Sequence, residues 1–190
     1  MFRELTRAAA DRRGLRGVPN ILWRDRDGTF VRNALSDSRV DVSELALPRR
    51  DLTESYRNEY FFLFDTPDTS VATSLGCPFR CNFCSVHKFY RGAISQMNPR
   101  RVLSEILTVS SDHITLVDDN FLMNHKRENA IADLVKSEGI RRKFSMECRT
   151  DSIVRHPELV EKWVKVGLYA VLLGLEGGND RTLRNVNKSN

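Results

Sequence analysis

Three of the four cysteines lie in one short stretch, GCPFRCNFCSVH, at Cys77, Cys81 and Cys84, spaced C-x3-C-x2-C. Thiolates this close repel one another unless a cation neutralises them, and soft sulfur favours iron–sulfur clusters, zinc or copper(I). Three cysteines cannot pair fully among themselves, and a cytosolic chain keeps its thiols reduced, so a disulfide framework is not expected. A four-iron cluster takes one cysteine per iron. Three local cysteines would leave one iron open to a substrate or cofactor. Structural zinc needs a fourth ligand, which His87 or Cys148 could supply, though zinc fingers more often use two separated ligand pairs. An iron–sulfur cluster is therefore the leading expectation. The alternative is a basic zinc module on Cys77, Cys81, Cys84 and His87 that binds RNA.

The elements that must position these cysteines follow from periodicity. Val71-Ala72-Thr73-Ser74 is a strand candidate that runs into the turn Gly76-Cys77-Pro78. Asn98 and Pro99 open a helix with Val102, Leu103, Ile106 and Leu107 on one face. Ile114 to Val117 is a short buried strand. A second helix covers 126–138, with Ala130, Ile131, Leu134 and Val135 inward and Gly139 as its stop. Phe144, Met146 and Cys148 alternate as in a strand, Pro157 opens a third helix, and Tyr169 to Leu173 is a fourth strand. Asn179 can cap a last short helix. This alternation predicts an α/β fold with about four parallel strands, buried on both faces. Chemistry in such folds gathers at the carboxyl ends of the strands. Cys77, Asp118 with Asp119, Arg149 and Glu176 all fall there.

Ahead of this core, residues 1–40 read as a helix and a short hairpin turning at Asp27-Gly28. Residues 41–69 read as a linker whose aromatics, Tyr56, Tyr60, Phe61, Phe62 and Phe64, pack onto the next domain. The 190 residues, 41% hydrophobic and 29% charged, are those of an ordinary globular chain. No apolar run approaches the ~20 residues that span a bilayer. The N-terminus lacks the apolar stretch of a secretory signal, which places the protein in the cytoplasm. The net charge of +5 is spread over short clusters, among them Arg12/Arg13 and Arg141/Arg142/Lys143, with acids between them. These read as solvated surface, so nucleic acid is not expected as a partner.

The run TSLGCPFRCNFCSV, followed by DDNF, ECRTD and LGLEGGND after successive strands, resembles the radical S-adenosylmethionine (radical SAM) enzymes. It most resembles the branch with a cobalamin-binding domain ahead of the radical core. VPNILWRDRDGTFVRN and ALPRRDL resemble the tail of that domain and its linker. The resemblance implies a partial radical SAM (β/α) barrel. Residues 1–40 would be the domain remnant, 41–69 the linker, and 70–190 a core with about four of six β/α units. The chain then reads as a piece incomplete at both ends.

For chemistry, the resemblance implies a 4Fe-4S cluster on Cys77, Cys81 and Cys84 that chelates S-adenosylmethionine. Reductive cleavage would give a 5′-deoxyadenosyl radical for hydrogen abstraction or methyl transfer on a small molecule or lipid. A donor such as flavodoxin or ferredoxin would supply the electron. Phe83 would lie against the adenine, and Asp118 and Asp119 would face the methionine amino group. Arg149 would pair with the methionine carboxylate and Glu176 with the ribose. The plainer alternatives are core packing for Phe83, capping by Asp119 or Asn120, an ion pair of Arg149 with Asp151 or Glu147, and a surface role for Glu176. Cys148 reads as core. Two departures stand out. Asp-Asp-Asn occupies the place of the family's frequent Gly-Gly-Glu. The D-x-H-x-x-G element of cobalamin domains is missing, so cobalamin is not expected on this chain.

Overall fold

The computed structural model describes residues 2–11, 14–36 and 41–188. Arg12, Arg13, Ser189 and Asn190 lie outside them. The chain divides into two compact units, residues 1–39 and 40–190.

In the first unit, helix α1 (Phe2–Ala10) buries Ala8, and strands β1 (Leu22–Arg24) and β2 (Phe30–Arg32) pair antiparallel. The turn between them closes where the Gly28 N–H donates to the Asp25 carbonyl at 2.9 Å, with Gly28 at φ +87°. Asn33 ties the hairpin down. It accepts from Trp23 Nε1 at 3.1 Å and donates to the Val18 carbonyl at 2.7 Å.

The second unit is built on a four-stranded parallel sheet. Its strands are β3 (Asp68–Val71), β6 (His113–Leu116), β7 (Lys143–Cys148) and β8 (Leu168–Leu173), adjacent in that order. The first strand thus lies upstream of the expected Val71–Ser74. Ser74 belongs instead to a two-residue strand, β4 (Ser74–Leu75), paired antiparallel with β5 (Ser95–Gln96). Between β4 and β5 sits a single-turn helix, α2 (Val86–Phe89). Helix α3 (Pro99–Leu107) follows, capped by Asn98, whose side chain accepts from the Arg101 N–H. Helix α4 (His125–Ser137) begins one residue before its expected start, with Asn124 as cap. After β7 comes α5 (Thr150–Arg155), too short for an apolar period to reveal, and then α6 (Pro157–Lys165). Helix α7 (Asp180–Asn185) is capped by Asn179.

The core lies on one side of the sheet. Val71, Ile114, Leu116, Phe144 and Met146 are buried there with Val102, Ile106, Ile131, Val135 and Leu159 from the helices. Trp163 is wholly buried and meets Phe121 and Phe144 edge-on, at 5.2 and 5.6 Å between ring centroids. The opposite face differs from the expected double burial. Ser70, Thr115, Ser145 and Ala170 share one register row. Near the amino ends this face is closed by a polar chain in which Thr115 Oγ1 donates to Asp68 and meets Ser145 Oγ, both at 2.9 Å. At the carboxyl ends it is open, with Val117, Glu147 and Leu172 exposed. Small polar side chains cannot draw a second helical layer onto a sheet as Val and Leu do.

The aromatic segment also departs from expectation. Tyr56, Tyr60, Phe61 and Phe64 are exposed, Phe64 almost completely. The 3-10 segment Arg50–Glu59 is held by arginines instead. Arg50 Nη2 donates to the Ser70 carbonyl at 3.1 Å and to Glu105 at 2.9 Å, and Arg57 reaches Ser110 Oγ at 2.9 Å.

Candidate metal centre

The three cysteines lie on one loop, and the loop is gripped from three sides. Its stem is the β4–β5 pair. At the base, Gly76 has φ +87°, and a Cβ there would meet the Ala93 carbonyl oxygen at 2.2 Å. Only glycine lets the two ends of the loop approach so closely. Asp119 Oδ2 accepts from the Gly76 N–H at 3.0 Å. The far side is tied to the end of α7. Asn82 donates through its backbone to the Val186 carbonyl at 3.1 Å and through its side chain to Asn185 at 2.8 Å. Asn187 Nδ2 donates back to the Arg80 carbonyl at 2.7 Å.

Cys81 is buried, while Cys77 and Cys84 are partly exposed. Burial pushes the Cys77 thiol up. Asp119, Cys81 and Cys84 add to that through their negative charge, against an N–H bond from Phe79. The fourth cysteine stays apart, in β7 against the core, where burial and then Asp151 push its thiol up to about 12. Three soft donors on one closed loop, crowding one another electrostatically and beside a guanidinium, fit a group that brings its own positive charge and takes three thiolates. Among the described residues, no three His, Cys, Asp or Glu side chains gather as ligands of a single ion, the three loop cysteines included.

Arg149 closes on the loop from the end of β7. Its Nη1 lies 3.9 Å from Cys81 Sγ, its Nε donates to Asp151 Oδ1 at 2.8 Å, and its Cζ lies 3.8 Å from the centre of the Phe79 ring. The alternative ion pair with Asp151 is thus present. Asn120 Oδ1 accepts from the Arg149 backbone N–H at 3.2 Å. Asn120 Nδ2 is buried with no partner among the described residues.

The remaining predicted residues fall at the carboxyl ends of the strands but face differently. Asp118 is 1% exposed and turned into the protein. Its Oδ2 accepts from Thr73 Oγ1 at 2.6 Å and Ser74 Oγ at 2.7 Å. Asp119 remains exposed beside Cys77. Phe83 is more than half exposed rather than packed in the core. Glu176, at φ +57°, faces Lys188 Nζ at 3.5 Å. A cavity of about 590 Å³ opens beside β3, bordered by Tyr60, Phe61, Asp68 and Val117, but none of the three cysteines lines it.

Sequence reasoning missed Phe79, Thr73 and Arg127. The aromatic between the first two cysteines was a signal for Phe79. The others carried none, since their partners are distant in the chain.

The sequence profile of the Radical SAM superfamily matches residues 71–190. A hopanoid C-3 methylase of Methylococcus capsulatus is 33% identical over 130 residues, covering 68% of this chain and 25% of that protein. An uncharacterized methyltransferase of Pyrococcus horikoshii is 28% identical over 195 residues, covering 98% of this chain and 40% of its own length. The chain therefore spans between a quarter and two fifths of these relatives. Among solved structures, OxsB, a cobalamin-dependent S-adenosylmethionine radical enzyme, superposes with a TM-score of 0.77 at 19% identity, over 100% of this chain and 28% of that one. TsrM from Kitasatospora setae, a radical S-adenosylmethionine methyltransferase, gives 0.68 at 17% identity, over 95% of this chain and 36% of that one. Those two likenesses establish the shared fold, and the profile match over the cysteine loop and strands β6, β7 and β8 establishes kinship: this chain belongs to the radical SAM superfamily.

Proposed function

We propose that this chain is the cofactor-binding part of a radical SAM enzyme that modifies a small molecule or lipid by hydrogen abstraction or methyl transfer. The observation that carries the reading is the closed loop presenting Cys77, Cys81 and Cys84 at the carboxyl end of the sheet, without a fourth cysteine beside them. When bound, a 4Fe-4S cluster with S-adenosylmethionine supplies the reductive cleavage that yields methionine and a 5′-deoxyadenosyl radical.

The chain's own residues do the holding. Gly76, Asp119, Asn82 and Asn187 tie down the loop that carries the three cysteines. Asp118 fixes the stem through Thr73 and Ser74. Asp119, exposed beside Cys77, would accept from the cofactor's amino group. Phe83, more than half exposed, would lie against the adenine. Glu176 would take the ribose from the loop after β8 by exchanging its Lys188 contact. Methylation is favoured by the methylase and methyltransferase names of the relatives. A flavodoxin- or ferredoxin-type donor would supply the electron. No D-x-H-x-x-G histidine is present, so cobalamin is not assigned to these residues.

The test is anaerobic reconstitution with iron and sulfide, followed by low-temperature EPR of the reduced protein with and without S-adenosylmethionine. A reduced four-iron signal that changes on adding S-adenosylmethionine supports the proposal. One zinc per chain, with no sulfide uptake, would overturn it.

A further inference from the structure

Arg149 is held more firmly than a simple ion pair requires. Three contacts fix the plane and position of the guanidinium: Asp151 on Nε, the Phe79 ring on its face, and Cys81 Sγ near Nη1. Arg149 and Asp151 are each 6% exposed and Cys81 8%, while Phe79 is half-buried. Asp151 is itself braced by Arg155 Nη2 at 3.5 Å. An Arg–Asp pair serving only stability needs no third contact to a sulfur. A cation aimed at a thiolate has an electrostatic consequence wherever that thiolate ligates a redox centre.

Resting on the cluster reading above, we propose that Arg149 and Asp151 form a charge pair that sets the reduction potential of the cluster carried by Cys81. Reduction brings one electron from an external donor and breaks no bond, so the reduced state differs by one added negative charge. Arg149, with its N–H groups toward Cys81, stabilises that added charge and raises the potential. Asp151 positions the guanidinium and opposes it with a buried negative charge. Potentials of such clusters respond to net charge, hydrogen bonds to sulfur and solvent exposure, and buried charges are weakly screened. Phe79 keeps water from the cation's face. The pair is therefore a positioning and tuning element for the cluster.

The experiment is an EPR-monitored redox titration of the anaerobically reconstituted chain, comparing wild type with Arg149→Gln, Arg149→Lys and Asp151→Asn. Arg149→Gln is expected to make reduction about tenfold less favourable, which is 59 mV for a one-electron couple. Asp151→Asn is expected to shift the potential the opposite way, and Arg149→Lys to fall between wild type and the glutamine variant. Opposite shifts from the two members of one pair are what a purely structural role would not produce. Should Arg149→Gln fail to fold, Arg149→Lys and Asp151→Asn still decide, because they preserve charge or shape. Potentials unchanged, or displaced in the same direction in both Arg149→Lys and Asp151→Asn, would overturn the inference while leaving the cluster reading intact. A wild-type chain that takes up no iron and sulfide would overturn both.

Discussion

Arg127 Nη2 donates to both the carbonyl oxygen of Thr73, at 2.8 Å, and its hydroxyl, at 2.7 Å. The same guanidinium reaches the Met97 carbonyl through Nε at 2.7 Å and Glu128 Oε1 through Nη1 at 2.9 Å. The Thr73 hydroxyl in turn donates a hydrogen bond to Asp118 Oδ2 at 2.6 Å. One buried network thus joins helix α4, the end of β6 and both sides of the stem that carries the cysteine loop.

Replacing Arg127 by Met is expected to cost about 3–5 kcal/mol, because buried acceptors and a carboxyl group lose their donor at once. Arg127→Lys is expected to recover less than half, since an ammonium cannot copy the fork. Urea unfolding of the metal-free chain measures both.

Gly76→Ala sets a Cβ at 2.2 Å from the Ala93 carbonyl oxygen on a backbone at φ +87°. The loop base must open, which breaks the bond to Asp119 and spreads the cysteines. Loss of iron uptake is expected with only a modest change in far-UV circular dichroism. Normal iron and sulfide content in this variant would show that loop closure is not needed for assembly.

The four cysteines are expected to divide sharply. Cys77→Ala, Cys81→Ala and Cys84→Ala each abolish four-iron uptake, whereas Cys148→Ala keeps it, because Cys148 packs in the core. The last substitution should cost only about 1–2 kcal/mol for a small cavity. Iron and sulfide analysis with thermal unfolding separates the two classes.

Glu128 is fully buried, with Oε2 unpartnered among the described residues. Burial pushes its carboxyl from 4.5 up to about 7 against the pull of Arg127. The folded chain therefore keeps a proton that the unfolded chain releases near 4.5. Stability falls as pH rises between those two values and levels off above the higher one, by roughly 3 kcal/mol. Asp68, also raised by burial, adds in the same direction. Glu128→Gln is expected to flatten most of this dependence, and urea midpoints across pH 5–8 (about three units) would reveal it. A wild-type chain gaining stability over that range would contradict it.

The cysteine spacing, the alternation of strands and helices, and the caps Asn98 and Asn179 depend on neighbours within one or two turns, so they were legible in the amino-acid order. The placing of Cys77, Asp118, Asp119, Arg149 and Glu176 at the carboxyl ends of strands was legible for the same reason, since it follows from element order alone. The start of the first strand was missed because Asp68 and Ser70 do not look like strand residues. They are strand because β6 pairs with them, a contact across more than forty residues.

What each of those side chains faces was decided only by the tertiary structure. Asp118 and Asp119 are adjacent and chemically alike, yet one is buried on Thr73 and Ser74 while the other stays exposed beside Cys77. Strand direction reverses successive side chains, and sequence cannot say which face another element will cover. Arg149 could be read as a carboxylate clamp or as half of an ion pair, and the fold placed it between Asp151, Phe79 and Cys81. A charge takes its role from the buried partners that packing brings to it, and those partners here come from separate segments of the chain.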